Sequence, residues 1–263
     1  MHWNATTAVN SGEAVQFRVL GCSGGWPGPG LPCSGYLLEA AGTRVWVDAG
    51  SGTLVELLKH TTLAELDAIW ISHLHPDHCA DLPMAWHTLA YSGTVVEPVP
   101  VLGPPGWASS IAGLLDEPAE VSTAFSVVEL TDGAVYEFGS LTLQAVPMRH
   151  SMPTFGLRVS AAGRILSYTA DSAPCDAVVE LARDADLFLC EAFLSTPEPP
   201  RFTSVMRPED AGRAATVGGA RLLVLTHLHP DAEPSYAKAK AGLEFTGPIE
   251  VAEPGRVFDL DQA

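Results

Sequence analysis

The segment Ser72-His73-Leu74-His75-Pro76-Asp77-His78 is the strongest constraint on this chain. It places three imidazoles and a carboxylate within six residues, directly after the strand-like run Asp67 to Ile71. With 9 histidines in 263 residues, shuffling the chain would produce this pattern in roughly 5 of 10,000 sequences, so coincidence explains it poorly. Imidazole and carboxylate are borderline to hard donors, suited to zinc and compatible with manganese or iron. A fold built around them has to bring this segment to a strand end where other donors converge.

The rest of the chain supplies such ends. Val15 to Leu20 reads as a strand running into the turn Gly21-Cys-Ser-Gly-Gly25. Tyr36 to Glu39 and Arg44 to Val47 then form a hairpin around Ala41-Gly42 that ends at Asp48, and the leucine spacing predicts a helix over Thr53 to His60. The second half repeats the order. Leu141 to Val146 ends at Arg149-His150, and a hairpin of Phe155 to Ser160 with Arg164 to Thr169 turns at Ala162-Gly163 and ends at Asp171. Pro174 to Asp184 and Pro208 to Val217 read as proline-started helices, with strands at Leu187 to Cys190 and Arg221 to Leu225, the latter ending at Thr226-His227. This alternation makes an α/β chain. No low-complexity linker divides it, so residues 1–263 are expected to form one domain, with 1–14 a flexible N-terminal extension.

Charge restricts the partners. The chain carries 14 basic and 31 acidic side chains, and the 89 residues between Lys59 and Arg149 contain no Lys or Arg but 11 carboxylates. A large nucleic acid finds little to hold there. The five cysteines are odd in number and form no C-x-x-C pair, which fits free thiols in a reducing compartment. Pro98 to Leu115, a long uncharged stretch, holds four prolines and three glycines and cannot be a membrane helix. The expectation is a cytoplasmic protein with a small-molecule substrate and no membrane partner. Homodimerisation is left open.

One zinc seldom takes more than four protein ligands, so His73, His75, Asp77 and His78 together with His150, Asp171 and His227 are enough for two metals if one carboxylate bridges. Two divalent ions sharing a water lower its pKa toward neutrality, which makes hydrolysis the default reaction. Asp77 could orient that water by accepting its proton.

The chain resembles the metallo-β-lactamase superfamily, and within it the branch of ribonuclease Z and related bacterial phosphodiesterases. The matching pieces are Gly21 to Gly25, Tyr36-Leu-Leu-Glu39, Val47-Asp-Ala-Gly50, His73 to His78, Leu102-Gly-Pro-Pro-Gly106, Ser167-Tyr-Thr-Ala-Asp171, Leu189-Cys-Glu-Ala192 and Leu225-Thr-His227. The resemblance implies an αβ/βα four-layer sandwich with two mixed sheets and two Zn2+ between them. It implies that His73, His75 and His150 hold one metal, that Asp77, His78 and His227 hold the other, that Asp171 bridges, and that Asp48 supports the metal loop.

The chain also departs from that branch. Ribonuclease Z relatives carry a histidine that assists proton transfer at the phosphate, and Val205 stands at the best-matching position. His229 could replace it as proton donor, or Leu228-His229-Pro230 could be a surface loop. No segment resembles the arm that grips tRNA, so tRNA 3′-processing is not expected. Arg149, Arg201 and Arg207 are the candidates for anion contact, and the proline-broken stretch 195–208 fits a lid. The first expectation is therefore hydrolysis of a small phosphodiester such as a cyclic nucleotide. The alternative is a carboxylic ester, lactone or thioester, whose leaving group needs less help from a proton donor. A noncatalytic metal-binding or ligand-sensing module ranks third.

Overall fold

Two Ala-Gly turns show how the chain is built. Ala41 and Gly42 have φ of 47° and 85°, and Ala162 and Gly163 have φ of 49° and 75°. Left-handed backbone at both central residues gives the hairpin turn whose twist matches that of the flanking strands. The computed structural model describes residues 15–93, 97–115, 120–197 and 202–260. Residues 1–14, expected to be an extension, and Arg201 lie outside that set, as do residues 198–200 of the expected lid.

The first half contains β1 (Gln16–Gly21), β2 (Gly35–Ala40), β3 (Thr43–Val47), α1 (Thr53–Leu57), β4 (Ala68–Trp70), α2 (Pro76–Cys79), α3 (Leu82–Tyr91), β5 (Val99–Gly103), α4 (Trp107–Ala112) and β6 (Phe125–Glu129). The second half contains β7 (Val135–Phe138), β8 (Leu141–Pro147), β9 (Phe155–Ala161), β10 (Arg164–Tyr168), α5 (Asp176–Ala182), β11 (Leu187–Glu191), α6 (Pro208–Gly218), β12 (Leu223–Thr226), α7 (Pro234–Ala241), β13 (Ile249–Val251) and β14 (Val257–Asp259).

The strands form two seven-stranded sheets, ordered β14-β1-β2-β3-β4-β5-β6 and β13-β12-β11-β10-β9-β8-β7. Both follow one plan. From β14 to β3 and from β7 to β10 neighbours pair antiparallel; from β3 to β6 and from β10 to β13 they pair parallel. The last strand closes the sheet that the first one opened, with Phe17 opposite Phe258.

Side chains alternate between the two faces of each sheet, and both faces are buried. Tyr36, Leu38, Val45 and Trp70 point inward and pack on Leu143, Leu157, Leu166 and Val224 of the opposite sheet. Leu37, Trp46 and Ile69 point outward under Leu57, Trp86 and Trp107 of the helical layer. On the other side Phe188, Leu223 and Leu225 meet Leu181, Ala211, Ala215 and Ala237. The result is the expected four-layer αβ/βα sandwich.

Two helices are shorter than their periodicity predicts. α1 stops at Leu57, where Lys59 N–H already bonds Glu56 C=O in the tighter i−3 pattern of a helix end and Leu58 turns outward. α5 starts two residues after Pro174, with Cys175 as its cap.

Candidate metal centre

Three strand ends deliver polar side chains to one place, and each does so through left-handed backbone. Asp48 after β3, Ala170 after β10 and His227 after β12 have φ of 58°, 51° and 52°. Such non-glycine residues cost about 1 kcal/mol each, and positions of this kind cluster at functional sites. Here they aim Asp48, Asp171 and His227 at the gap between the sheets. β4 ends just before Ser72-His73, His75 caps α2, and Pro76 takes that helix's first position, where a proline needs no backbone donor. Backbone bonds from Ser34 N–H to Asp77 C=O (3.1 Å) and from Ala49 N–H to His78 C=O (2.7 Å) brace the turn.

The seven donors expected from the sequence converge in two groups: His73, His75, His150 and Asp171, then Asp77, His78 and His227. Within each group the donor atoms lie within 4.8 Å of one another. His75 Nδ1 is 3.1 Å from Nε2 of both His73 and His150. Asp171 stands between the groups. Its Oδ2 lies 3.8 Å from His73 Nε2 and from His150 Nε2, while its Oδ1 lies 3.2 Å from His78 Nε2 and 3.3 Å from His227 Nε2.

The neighbours of these rings leave their inner nitrogens free to donate. Ser204 C=O can only accept, so His150 Nδ1–H donates to it at 2.8 Å and Nε2 keeps its lone pair. Asp48 Oδ2 likewise takes His78 Nδ1–H at 2.7 Å. Ser72 Oγ–H donates to Asp48 Oδ2 at 2.8 Å and so accepts from His73 Nδ1–H at 3.0 Å. Asp48 also accepts from Ser72 N–H and from the Tyr168 hydroxyl. His78 Nε2 and Asp171 Oδ1 remain buried without hydrogen-bond partners. Buried polar atoms are rarely orphaned, and lone pairs converging in this way fit a bound divalent cation in each group.

The groups differ electrostatically. Burial and the neighbouring His78 charge hold His73 well below the usual imidazole range, and burial with His150 lowers His75. Burial also opposes charge on His78 and His227, but Asp171 and Asp77 outweigh it and raise both. Asp171 and Asp77 are correspondingly held below the usual carboxylate range, as the same imidazoles overcome the effect of burial. Without a metal, the neutral form is favoured at His73 and His75 and the protonated form at His78 and His227.

A cavity of about 280 Å3 opens onto His75, Asp77, His150, Asp171 and His227, with Trp26, Phe193, Phe202 and Val205 on its other wall. Among the described residues no Lys or Arg lines it. Arg149 and Arg207 are exposed and outside it, and Arg207 N–H bonds Asp210 at the start of α6. His229 is also outside; its ring packs on Trp26 and Phe193, and its Nδ1 accepts the Asp231 N–H.

Three contributors, Gly24, Gly25 and Glu191, have no role legible from the sequence alone. Gly25 N–H donates to Asp77 Oδ2 at 2.7 Å, and at Gly24 a Cβ would come within 2.6 Å of Phe193 and 2.7 Å of the His227 carbonyl. Glu191, fully buried at the end of β11, accepts the N–H groups of Ser172, Phe193 and Met206 at 3.0–3.1 Å, joining the residue after Asp171 to both sides of the cavity wall. Burial and the Asp171 charge push its carboxyl up to about 8. An acid at the end of an otherwise apolar strand was the available signal.

Comparison with known proteins agrees with this geometry. A β-lactamase superfamily domain matches residues 43–228. A Mycobacterium leprae protein, ML1173, is 37% identical over 94% of this chain and 89% of its own length. A ribonuclease Z of Myxococcus xanthus is 27% identical over 94% of this chain and 98% of its own. The crystal structure of the metallo-β-lactamase fold protein YhfI from Bacillus subtilis superposes with a TM-score of 0.85, at 25% identity over 94% of this chain and 100% of that one. The chain belongs to the metallo-β-lactamase superfamily, in its ribonuclease Z-like branch. It is a metal-dependent hydrolase.

Proposed function

We propose that the chain is a dinuclear zinc hydrolase of small phosphodiesters, such as a cyclic nucleotide, and that it does not process tRNA. The observation carrying this reading is the placement of Asp171, whose two oxygens face two separate donor groups. His73, His75 and His150 would hold one ion and Asp77, His78 and His227 the other. When bound, the ions supply Lewis acidity and an activated water. Asp77 stays ionised at neutral pH, and Gly25 N–H fixes it at the cavity, so it can accept a proton from a water held there.

The small-substrate reading draws on the cavity. At about 280 Å3 it sits at the lower end of the roughly 300–1,000 Å3 usual for small-molecule sites. Its described lining offers no cation to a polyanion, and residues 60–148 contain none. No helix among the described residues is long and apolar enough to cross a membrane. All five cysteines are free, which supports a cytoplasmic location.

Val205 favours a second reading, acyl hydrolysis. Val205 adds an aliphatic side chain to the cavity wall, and it is the best match in the sequence to the position of the proton-donating histidine of the ribonuclease Z branch. A panel of bis(p-nitrophenyl) phosphate, a cyclic nucleotide, thioesters and lactones, assayed with zinc-loaded protein, separates the two. The expected result is turnover of both phosphodiesters; a preference of several hundredfold for acyl compounds would reverse the order.

A further inference from the structure

Beside Val205, the wall of the cavity carries three aromatic rings, Trp26, Phe193 and Phe202, and two of them are only partly packed. Trp26 and Phe202 border the cavity yet remain 49% and 55% exposed. Half-exposed rings forfeit about 25 cal/mol for every Å2 of apolar surface left in water. The Trp26 backbone is nonetheless held in place. Trp26 N–H bonds Gly24 C=O at 3.0 Å, and Ser23 Oγ–H donates to Trp26 C=O at 2.7 Å. The Trp26 ring meets Phe193 edge-on at 6.3 Å and His229 at 5.1 Å.

Phe193 is the fixed centre of this wall. It is buried, lies 5.9 Å from the Phe202 ring and 5.6 Å from the His227 ring, and has its N–H held by Glu191. The absent Cβ at Gly24 is what allows Phe193 and His227 to share this corner. Phe193 therefore links the two half-exposed rings to the donor His227. A ligand bound across the cavity meets polar donors on one side and flat π surface on the other, with no Lys or Arg among the described lining residues to favour a second anionic group.

We propose that Trp26 and Phe202, positioned by Phe193, determine specificity by receiving a flat aromatic group, such as a nucleobase, attached to the ester that reacts at the donors. The nucleobase assignment rests on the phosphodiesterase reading above; the aromatic preference does not. Stacking on aromatic side chains is worth about 1–3 kcal/mol per base, equivalent to about 5- to 150-fold.

The test pairs ligands that differ only in the base. Zinc-loaded full-length protein is assayed on 3′,5′-cyclic adenosine monophosphate and on the cyclic ribose 3′,5′-phosphate lacking adenine. Calorimetry compares binding of adenosine 5′-monophosphate with that of ribose 5-phosphate. The expected result is a preference of about 5- to 150-fold for the adenine compound in both measurements. It collapses toward unity in Trp26→Ala and in Phe202→Ala, mainly through KM, and returns in Trp26→Phe. Equal handling of the two ligands by the wild type, or equal losses on both in the alanine variants, overturns the proposal. If neither phosphodiester is cleaved, the phosphodiesterase reading fails, and the wall is judged on a phenyl against a cyclohexyl thioester together with the calorimetric pair. An aromatic preference there that Trp26→Ala removes upholds the wall, and none overturns it.

Discussion

The Tyr168 hydroxyl on β10 donates to Asp48 Oδ2 on the opposite sheet at 2.8 Å. Asp48 also fixes His78 and, through Ser72, His73, so one phenol from the second sheet helps orient two rings carried by the first. Tyr168→Phe removes this bond and leaves the ring packing intact. A buried hydrogen bond to a charged acceptor is worth about 1.5–3 kcal/mol, and loss of such an outer partner typically lowers metal affinity about 10- to 100-fold. Urea unfolding and chelator competition should both register the change. Unchanged stability and affinity would show that the bond only fills space.

The response of the metal-free protein to pH follows from the protons held in the second donor group. His78 and His227 titrate above their ordinary 6.5 in the folded state, so their stabilisation is complete below 6.5 and is lost as pH rises through the raised values. Glu191, raised from 4.5 to about 8, acts with the same sign: its neutral form suits the fold, and its stabilisation is lost progressively as pH rises from 4.5 to about 8. Thermal unfolding after chelation should therefore show Tm falling as pH rises from 6.5 to about 8. With metal the trend should reverse, because cations compete with fewer protons. Glu191→Gln, which cannot titrate, should shrink the metal-free slope. Parallel curves with and without metal would contradict the assignment.

Val205→His places a further imidazole on the cavity wall as a candidate general acid. General-acid assistance contributes about 10²- to 10⁴-fold where a leaving group needs a proton. The variant should accelerate an alkyl phosphodiester far more than bis(p-nitrophenyl) phosphate, whose leaving group departs unaided. A plot of rate against leaving-group pKa reads this as a shallower slope; an unchanged slope would mean that the wall position is not aligned with the departing oxygen.

Asp171→Ala removes the carboxylate common to both donor groups. Bound metal stabilises the native state by mass action, so the wild type should gain Tm on zinc addition and the variant should gain little. Full zinc-dependent stabilisation of Asp171→Ala would contradict a bridging role.

Much of this site was legible because its donors end apolar strands, where a buried run gives way to His or Asp. The two Ala-Gly hairpins announced themselves in the same way. What escaped was set by distant pairing. β14 is three residues long and exists through its register with β1, 230 or more residues away, while β7 has a half-exposed pattern that no local periodicity separates from a loop. The roles of Trp26, Gly25 and Glu191 lie in contacts across the fold. Charge in a sequence has no direction, and Arg149 and Arg207 face solvent outside the cavity.

The central claim is that seven side chains from both halves hold a pair of cations, with Asp171 between them. Anomalous diffraction at the zinc edge, from crystals of the zinc-loaded protein, addresses it directly. The expected map has two peaks about 3.5–4 Å apart, one among His73, His75 and His150 and one among Asp77, His78 and His227. A single peak, or peaks away from these residues, would contradict it.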